Sequence, residues 1–144
     1  MNKEMVILVV EDDEGHATLV ERNLKQAGIE NRIERFADGQ AILDFLFCSS
    51  NGKNNRQGAY VLLLDIRMPK VDGIEVLRRI KGDDELKKIP VVVLTTTDDP
   101  KEIELCHQLG CSVYITKPIK YEQFVEAVRT LGSFLSILQV PIVN

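Results

Sequence analysis

Four short, continuous apolar runs constrain the fold of this chain more than any other feature of its sequence. They cover residues 5–10, 61–64, 91–94 and 112–115. A strand that is covered on both faces gives such an unbroken run, whereas a strand with one solvated face alternates between apolar and polar residues. A weaker candidate at 31–36 has Ile33 and Phe36 as its apolar residues. The pattern therefore predicts five strands.

Segments with helical periodicity separate these runs. Their apolar residues recur at the spacing that places them on one face of a helix. The positions are Ala17, Val20, Leu24 and Ala27; Ala41, Ile42, Phe45 and Leu46; Ile74, Leu77 and Ile80; Ile103, Cys106 and Leu109; and Tyr121, Phe124, Val125, Val128, Leu131, Phe134 and Leu135. Alternating strands and helices predict a parallel sheet with helices on both faces, connected by right-handed crossovers. We expect a doubly wound α/β fold of five βα units.

Residues that favour helix ends agree with this division. Gly28, Gly82 and Gly110 follow helical segments, where a left-handed residue often ends a helix. Asp38 and Asp99 stand where helices begin. The polar, glycine-rich segment 48–58 is expected to be an exposed loop before the third strand.

Length and charge limit the classes of protein to which the chain can belong. With 144 residues it has the size of one domain, and no apolar segment reaches the roughly 18–20 residues that span a bilayer. The net charge is −4, and no basic block is available for phosphate contacts of nucleic acids. We expect one cytoplasmic domain over 1–144, with its core at about 5–135 and an apolar extension at about 136–144, that binds neither nucleic acid nor membrane.

The cysteines and histidines form no recognisable metal or redox motif. Cys48, Cys106 and Cys111 are odd in number and contain no C-x-x-C pair. His16 and His107 fall in no ligand spacing, and His16 is expected to be a surface residue of the first helix near the rim of the sheet. Reduced thiols are the simplest interpretation.

Polar residues follow the apolar runs at the point where each strand ends. The first run is followed by Glu11-Asp12-Asp13, the third strand by Asp65, the fourth by Thr95-Thr96-Thr97 and the fifth by Lys117-Pro118. Ligands of open parallel sheets bind beyond these carboxyl ends. At this point Asp13 is either a ligand or the N-cap of the first helix. Asp65 is no cap, because its helix begins only near Asp72-Gly73.

Acids that converge beside a lysine and a hydroxyl predict a hard cation with oxygen ligands. Mg²⁺ favours few carboxylates together with water and phosphate oxygens, so a phosphoryl group would complete the site. The chain contains no calcium-binding loop of the D-x-[DN]-x-[DN]-G type, no G-x-x-x-x-G-K-[ST] and no G-x-G-x-x-G. Calcium binding and nucleotide binding therefore lose their main support.

These segments together resemble the receiver domain of two-component response regulators. The matching segments are VVED at 9–12, LLLDIRMPKVDG at 62–73, VVVLTT at 91–96 and YITKP at 114–118, in this order along the chain. The resemblance runs from about residue 6 to 135. It implies a flavodoxin-like (βα)5 fold with a five-stranded parallel sheet in the order 2-1-3-4-5.

The resemblance also implies roles for the acidic residues. Asp65 corresponds to the phosphoacceptor, a carboxylate nucleophile that attacks the phosphohistidine of a kinase. Glu11, Asp12, Asp65 and the backbone carbonyl of Arg67 correspond to the Mg²⁺ site, with Asp12 as a direct ligand and Glu11 acting through water. Asp13 then remains as the helix cap.

Three further residues match the positions that respond to the phosphoryl group. Lys117 corresponds to the lysine that contacts a phosphoryl oxygen, and the resemblance implies a cis bond between Lys117 and Pro118. Thr95 corresponds to the switch hydroxyl, and Tyr114 to the aromatic switch residue, although tyrosine is also common in strands for other reasons. The switch would alter the surface of the fourth helix, fifth strand and fifth helix.

The predicted function is that of a response regulator that takes a phosphoryl group from a sensor histidine kinase and then binds a downstream protein. It would catalyse only its own phosphorylation and dephosphorylation. The chain is similar to stand-alone receivers that partner bacterial and cyanobacterial phytochromes, and its apolar tail at 133–143 predicts a homodimer.

Two alternatives exist. A pseudo-receiver would be a scaffold without phosphotransfer. A haloacid-dehalogenase-like phosphatase would need an acid where Arg67 stands.

Overall fold

A computed structural model describes residues 4–47, 57–68 and 70–144. Cys48, Pro69 and most of the predicted loop at 48–58 lie outside these ranges. The described elements are β1 (Val6–Val10), α1 (Glu14–Gln26), β2 (Ile33–Phe36), α2 (Gly39–Phe47), β3 (Gly58–Leu64), α3 (Gly73–Lys81), a short 3-10 helix (Leu86–Lys88), β4 (Val91–Thr95), α4 (Pro100–Leu109), β5 (Val113–Thr116), α5 (Tyr121–Leu135) and β6 (Ile142–Val143). None of the helices in these ranges is long and apolar enough to cross a membrane.

The sheet confirms the predicted doubly wound fold. Its strands lie in the order β2-β1-β3-β4-β5, and these neighbours pair in parallel. A sixth strand was not predicted: β6 pairs antiparallel with the start of β3, where Gly58 faces Val143 and Ala59 faces Ile142. Two residues are too few to show strand periodicity, so β6 adds to the five predicted parallel strands without a signal in the sequence.

The central strands are buried on both faces, which explains their unbroken apolar runs. Successive side chains of a strand point to opposite faces. Leu62 and Leu64 pack on one side, in a cluster with α2, α3 and Cys106 of α4. Val61 and Leu63 pack on the other side, in a cluster with α1 and α5. Both faces are therefore covered by helices, as the alternation of elements predicts.

Aspartates begin four of the helices by accepting a backbone N–H bond of the first turn. The donors are His16 for Asp13, Ala41 for Asp38, Glu75 for Asp72 and Lys101 for Asp99, at distances of 3.0, 2.9, 3.0 and 3.0 Å. Such a bond satisfies one of the N–H groups that have no partner within the helix. The start of each of these helices is thus set by its own sequence.

Two of the three predicted left-handed glycines are confirmed. Gly28 has a φ of +96° and Gly110 a φ of +105°. Gly82 has a φ of −86° and is right-handed, so the prediction for it is wrong. The Gly82 N–H bonds to the carbonyl of Arg78 at 3.0 Å, and Asp83 N–H bonds to the carbonyl of Ile80 at 3.3 Å, because the chain continues in a right-handed turn after α3.

The segment after α5 folds back onto the molecule. Leu135 and Val143 are fully buried, while Ile137 and Ile142 remain 74% and 57% exposed. The apolar extension is therefore partly consumed by contacts within its own chain.

The peptide bonds between described residues are all trans. The cis bond implied between Lys117 and Pro118 is thus wrong for this structure. The two forms of a bond to proline differ by only about 0.5–1 kcal/mol, so the sequence alone does not fix the isomer.

Candidate functional site

Parallel pairing of β1 with β3 brings the predicted acidic residues together. Val10 lies opposite Leu64 in the register, and Asp65 N–H bonds to the Val10 carbonyl at 3.0 Å. Glu11 and Asp65 therefore follow the two strands side by side. Both are buried, with 4% and 7% of their surface exposed, whereas Asp12 is exposed.

The donor set of this site fits a hard cation. Glu11, Asp12 and Asp65 each offer a carboxylate oxygen, and these oxygens lie within 4.8 Å of one another. Oxygen donors in such a cluster are those that Mg²⁺ and Mn²⁺ bind. Arg67 donates its backbone N–H to Asp65 Oδ1 at 3.2 Å, so the turn after β3 is held against the same carboxylate.

Lys117 reaches the acidic cluster from the end of β5. Its Nζ lies 2.6 Å from Glu11 Oε2 and 3.7 Å from Asp65 Oδ2, and its side chain is buried. Burial raises the pKa of Glu11 to about 7, while the hydrogen bond and positive charge of Lys117 act in the opposite direction. The ammonium group thus partly compensates a cluster of buried carboxylates.

Thr95 places an unpaired hydroxyl at the end of β4. The residue is fully buried, and its Oγ1 has no hydrogen-bond partner within the part of the chain that the structure describes. A buried hydroxyl without a partner costs free energy, so such groups are rare unless they serve a ligand. The hydroxyl is therefore available for a group that enters the site.

Tyr114 lies on β5, half-buried beside the larger of the two core clusters. Its hydroxyl donates to the carbonyl of Thr97 at 2.8 Å. Burial is the main cause that raises the pKa of Tyr114 to about 12. The phenol is thus tied to the loop that follows Thr95, on the same stretch of chain as the unpaired hydroxyl.

Sequence reasoning missed the contacts of His16. Its Nδ1 lies 3.4 Å from Lys117 Nζ and 3.8 Å from Glu11 Oε1, and its ring is 5.7 Å from the ring of Phe124. The imidazole is at the edge of the site, where a solvated surface residue was expected. Its place in the first turn of α1, three residues after Asp13, was the one signal that could have indicated this.

The side-chain contacts of two arginines were also missed. Arg35 of β2 donates to the Glu11 carbonyl at 3.0 and 3.2 Å and to the Asp12 carbonyl at 3.2 Å, and so holds the loop that carries both acids. The guanidinium of Arg67 bonds to Glu102 of α4 at 3.1 Å. No sequence motif indicates either contact. The Arg35 contact depends on the path of the loop after β1, and the Arg67 contact depends on the path of the loop after β3.

Other proteins are similar to this chain in sequence and fold. Residues 7–129 match the model of the response regulator receiver domain family. The chain is 38% identical over 129 residues to the probable methanogenesis regulatory protein FilR2 of Methanothrix harundinacea, covering 90% of this chain and 82% of that protein.

Two solved structures of response regulators are similar to this chain in both sequence and fold. The Mn²⁺-bound form of response regulator Rcp1, a protein of Synechocystis, has a TM-score of 0.84 at 34% identity, covering 94% of this chain and 98% of that chain. The phosphorylated cyanobacterial phytochrome response regulator RcpA has a TM-score of 0.83 at 31% identity, covering 94% and 97%. Receiver domains are signalling switches that bind Mg²⁺ or Mn²⁺ at an acidic pocket. With its matching motifs, strand order and acidic pocket, the chain belongs to the response regulator receiver domain family.

Proposed function

We propose that the chain is a response regulator that accepts a phosphoryl group on Asp65 from the phosphohistidine of a sensor histidine kinase. A carboxylate oxygen of Asp65 attacks phosphorus, the bond from phosphorus to the histidine nitrogen breaks, and an acyl phosphate forms. The observation that carries this proposal is the convergence of three groups at one rim of the sheet: buried Asp65, the Lys117 ammonium and the Thr95 hydroxyl, which has no hydrogen-bond partner among the described residues.

Each of these residues has a defined task in the transfer. Lys117 neutralises charge that develops on the phosphoryl oxygens, and Thr95 donates its free hydroxyl to one of them. Glu11, Asp12 and Asp65, together with the Arg67 backbone carbonyl, would hold Mg²⁺, with Asp12 as a direct ligand and Glu11 acting through water. The metal would supply further charge neutralisation at the phosphoryl oxygens. The carboxylate cluster and the Mn²⁺-bound form of Rcp1 support this assignment.

Phosphorylation of Asp65 would change the structure of the surface through Thr95 and Tyr114. A hydroxyl bond from Thr95 to the phosphoryl group moves the start of the β4–α4 loop. Because the Tyr114 hydroxyl holds the Thr97 carbonyl in that loop, the phenol responds to the same movement. Phosphorylation thereby shifts the population between two packings of the α4-β5-α5 face, where a downstream protein binds.

The kinase partner is a sensor histidine kinase of the type that serves these regulators. The phytochrome response regulator RcpA supports a phytochrome kinase. FilR2, which is 38% identical to this chain, is a probable methanogenesis regulatory protein, so sequence identity at this level does not by itself select a phytochrome kinase. Transfer from a purified phytochrome kinase with its phosphohistidine, measured beside an unrelated kinase, tests this choice of partner.

We also infer a homodimer that uses α5 and the segment after it. Phe134 is 44% and Ile137 is 74% exposed. A pocket of about 510 Å³ between β5 and α5 is lined by apolar groups that include Ile115, Leu131 and Phe134. Sedimentation at low micromolar concentration, with and without phosphodonor, should show the dimer, and a monomer under both conditions would contradict it.

The whole of residues 1–144 is proposed to form a single cytoplasmic receiver domain. The described thiols Cys106 and Cys111 are buried and free, which agrees with a reducing compartment. Urea unfolding should show one cooperative transition that is the same by far-ultraviolet circular dichroism and by tyrosine fluorescence, and two separate transitions would contradict a single domain.

The test of the main proposal is incubation with acetyl phosphate and Mg²⁺, followed by intact mass measurement. We expect the gain of one phosphoryl group, which is absent after Asp65→Asn and with EDTA. Asp44→Asn, which alters an exposed carboxylate of α2, is the matched control and should still gain the group. No gain with acetyl phosphate or with any phosphorylated kinase would favour a scaffold without phosphotransfer.

A further inference from the structure

His16 occupies a defined position at the edge of the site. Its backbone N–H bonds to the cap carboxylate of Asp13 at 3.0 Å, which fixes the first turn of α1. Its ring lies against the Phe124 ring of α5, with the centroids 5.7 Å apart and the planes tilted by 35°. Although the side chain is 42% exposed, both its backbone and its ring are held.

The chemistry of the two facing groups determines the direction of the bond between them. An ammonium group has three N–H donors and no acceptor, so a hydrogen bond from Lys117 requires His16 Nδ1 to accept. The imidazole is then neutral and carries its proton on Nε2. The nearest carboxylate oxygen of Glu11 lies 3.8 Å from Nδ1, beyond hydrogen-bond distance, so Lys117 at 3.4 Å is the closer partner.

The two carboxylates beside Lys117 lie at different distances from its ammonium group, so they do not fix the directions of all three N–H bonds. Its Nζ is 2.6 Å from Glu11 Oε2 but 3.7 Å from Asp65 Oδ2, so the short bond draws the ammonium group toward Glu11. An acceptor outside the carboxylate cluster binds a second N–H and limits rotation about the last bond of the side chain. When two N–H bonds of the ammonium group are held in this way, the direction of the third N–H bond is also fixed.

We propose that His16 is a positioning residue for Lys117: its Nδ1 accepts one hydrogen bond from the ammonium group and thereby orients another N–H toward the phosphoryl group at Asp65. This inference rests on the proposed phosphoryl acceptance. Its ring nitrogen lies 3.4 Å from Lys117 Nζ, so His16 acts on the transfer through Lys117. The residue also lines a pocket of about 340 Å³ together with Lys117 and Phe124.

Two substitutions separate the acceptor from the ring. His16→Phe keeps an aromatic ring against Phe124 but removes the acceptor. His16→Asn loses the ring but places the amide Oδ1 on Cγ, as Nδ1 is in histidine. With acetyl phosphate and Mg²⁺ we expect about a tenfold slower phosphorylation of His16→Phe, because a hydrogen bond to a charged group is lost, and less than about a threefold change for His16→Asn.

The outcomes divide without ambiguity. An unchanged rate in His16→Phe overturns the inference, and so does equal slowing in both variants, because the acceptor would then be immaterial. Urea unfolding of each variant checks that both remain folded. In either of these cases the phosphoryl gain of the unchanged protein, and its loss in Asp65→Asn, would leave the proposed function intact.

A second measurement needs no phosphoryl transfer. In the ¹⁵N-labelled protein, the Lys117 ammonium hydrogens should exchange slowly with water and give a resolved signal. We expect similar hydrogen-exchange rates in the unchanged protein and in His16→Asn, and faster exchange in His16→Phe, where burial and the bond to Glu11 remain but the second acceptor is lost. If all three proteins exchange at the same rate, the inference is wrong. If the unchanged protein accepts no phosphoryl group, the proposed function fails separately, while this signal still decides whether His16 holds Lys117.

Discussion

Lys117 and Glu11 are 106 positions apart in the chain, yet Lys117 Nζ lies 2.6 Å from Glu11 Oε2 and both side chains are buried. Their strands are not neighbours, because β3 and β4 lie between β1 and β5 in the sheet. The contact therefore spans the rim of the sheet where β3 and β4 end, at Asp65 and Thr95. It joins the acidic end of β1 to the basic end of β5, and Asp65 Oδ2 lies 3.7 Å from the same ammonium group.

The raised pKa of Glu11 predicts that stability depends on pH. Burial raises the pKa of the Glu11 carboxyl in the folded protein to about 7, above its ordinary value of 4.5. The folded state therefore binds the Glu11 proton more tightly than the unfolded state does. The contribution is present below pH 4.5 and is lost as pH rises to about 7. We compare the free energies of unfolding of Glu11→Gln and the unchanged protein in EDTA. The value for Glu11→Gln minus the value for the unchanged protein should increase by about 2 kcal/mol between pH 5 and pH 8.

Urea unfolding at the two pH values measures this difference. Glu104→Gln, at an exposed residue of α4, is the control and should change the free energy of unfolding by less than about 0.5 kcal/mol at both. A Glu11→Gln effect of equal size at pH 5 and pH 8 would contradict the assignment.

The fold could be predicted because burial on both faces leaves a direct mark in the sequence. Leu62 and Leu63 point to opposite sides of β3 and are both buried, so no polar residue interrupts the run. The acids could be predicted as a group for a related reason. Parallel strands end at one rim, and the polar residues that follow them, such as Asp65 and Lys117, meet there.

The features that escaped prediction depend on contacts between distant segments. The bond from His16 to Lys117 requires a particular approach of α1 to the end of β5, and the bonds from Arg35 require the path of the β1–α1 loop. Pairing of β6 depends on the chain returning to the start of β3. Local periodicity contains no information about these approaches.

Burial of Val143 predicts that the segment after α5 contributes to stability. The side chain is fully buried in the same cluster as Leu86, so Val143→Ala removes packed methyl groups and should lower the free energy of unfolding by about 1–3 kcal/mol. Ile119→Ala, at a fully exposed side chain outside the proposed dimer surface, should cost less than about 0.5 kcal/mol. Parallel urea titrations compare the two, and equal losses would show that β6 does not pack as described.

Gly73 predicts a close link between backbone packing and the site. A Cβ atom at this position would lie 2.4 Å from the Asp65 carbonyl oxygen and 2.6 Å from Ile66 Cα, so the turn after β3 must move in Gly73→Ala. We expect a loss of about 1–3 kcal/mol in stability and slower phosphorylation, because Asp65 moves with its backbone.

Gly15→Ala provides the comparison for this variant. Its added Cβ would be 3.2 Å from Asp13 Oδ1, a side-chain atom and not backbone, and alanine favours helices. Its stability should change by less than about 1 kcal/mol. Measured urea midpoints and phosphorylation rates that are alike in the two variants would mean that the backbone at Gly73 yields without moving Asp65.

The unpaired hydroxyl of Thr95 predicts a conflict between stability and response. Thr95→Val keeps the shape of the side chain and removes a buried hydroxyl without a partner among the described residues, so it should raise the free energy of unfolding by about 1 kcal/mol without ligand. Thr95→Ser keeps the hydroxyl and serves as the control. With beryllofluoride and Mg²⁺, which imitate the phosphoryl group, Thr95→Ser should gain more stability than Thr95→Val. The reverse order, or a destabilised Thr95→Val without ligand, would show that the hydroxyl is already paired in the free protein.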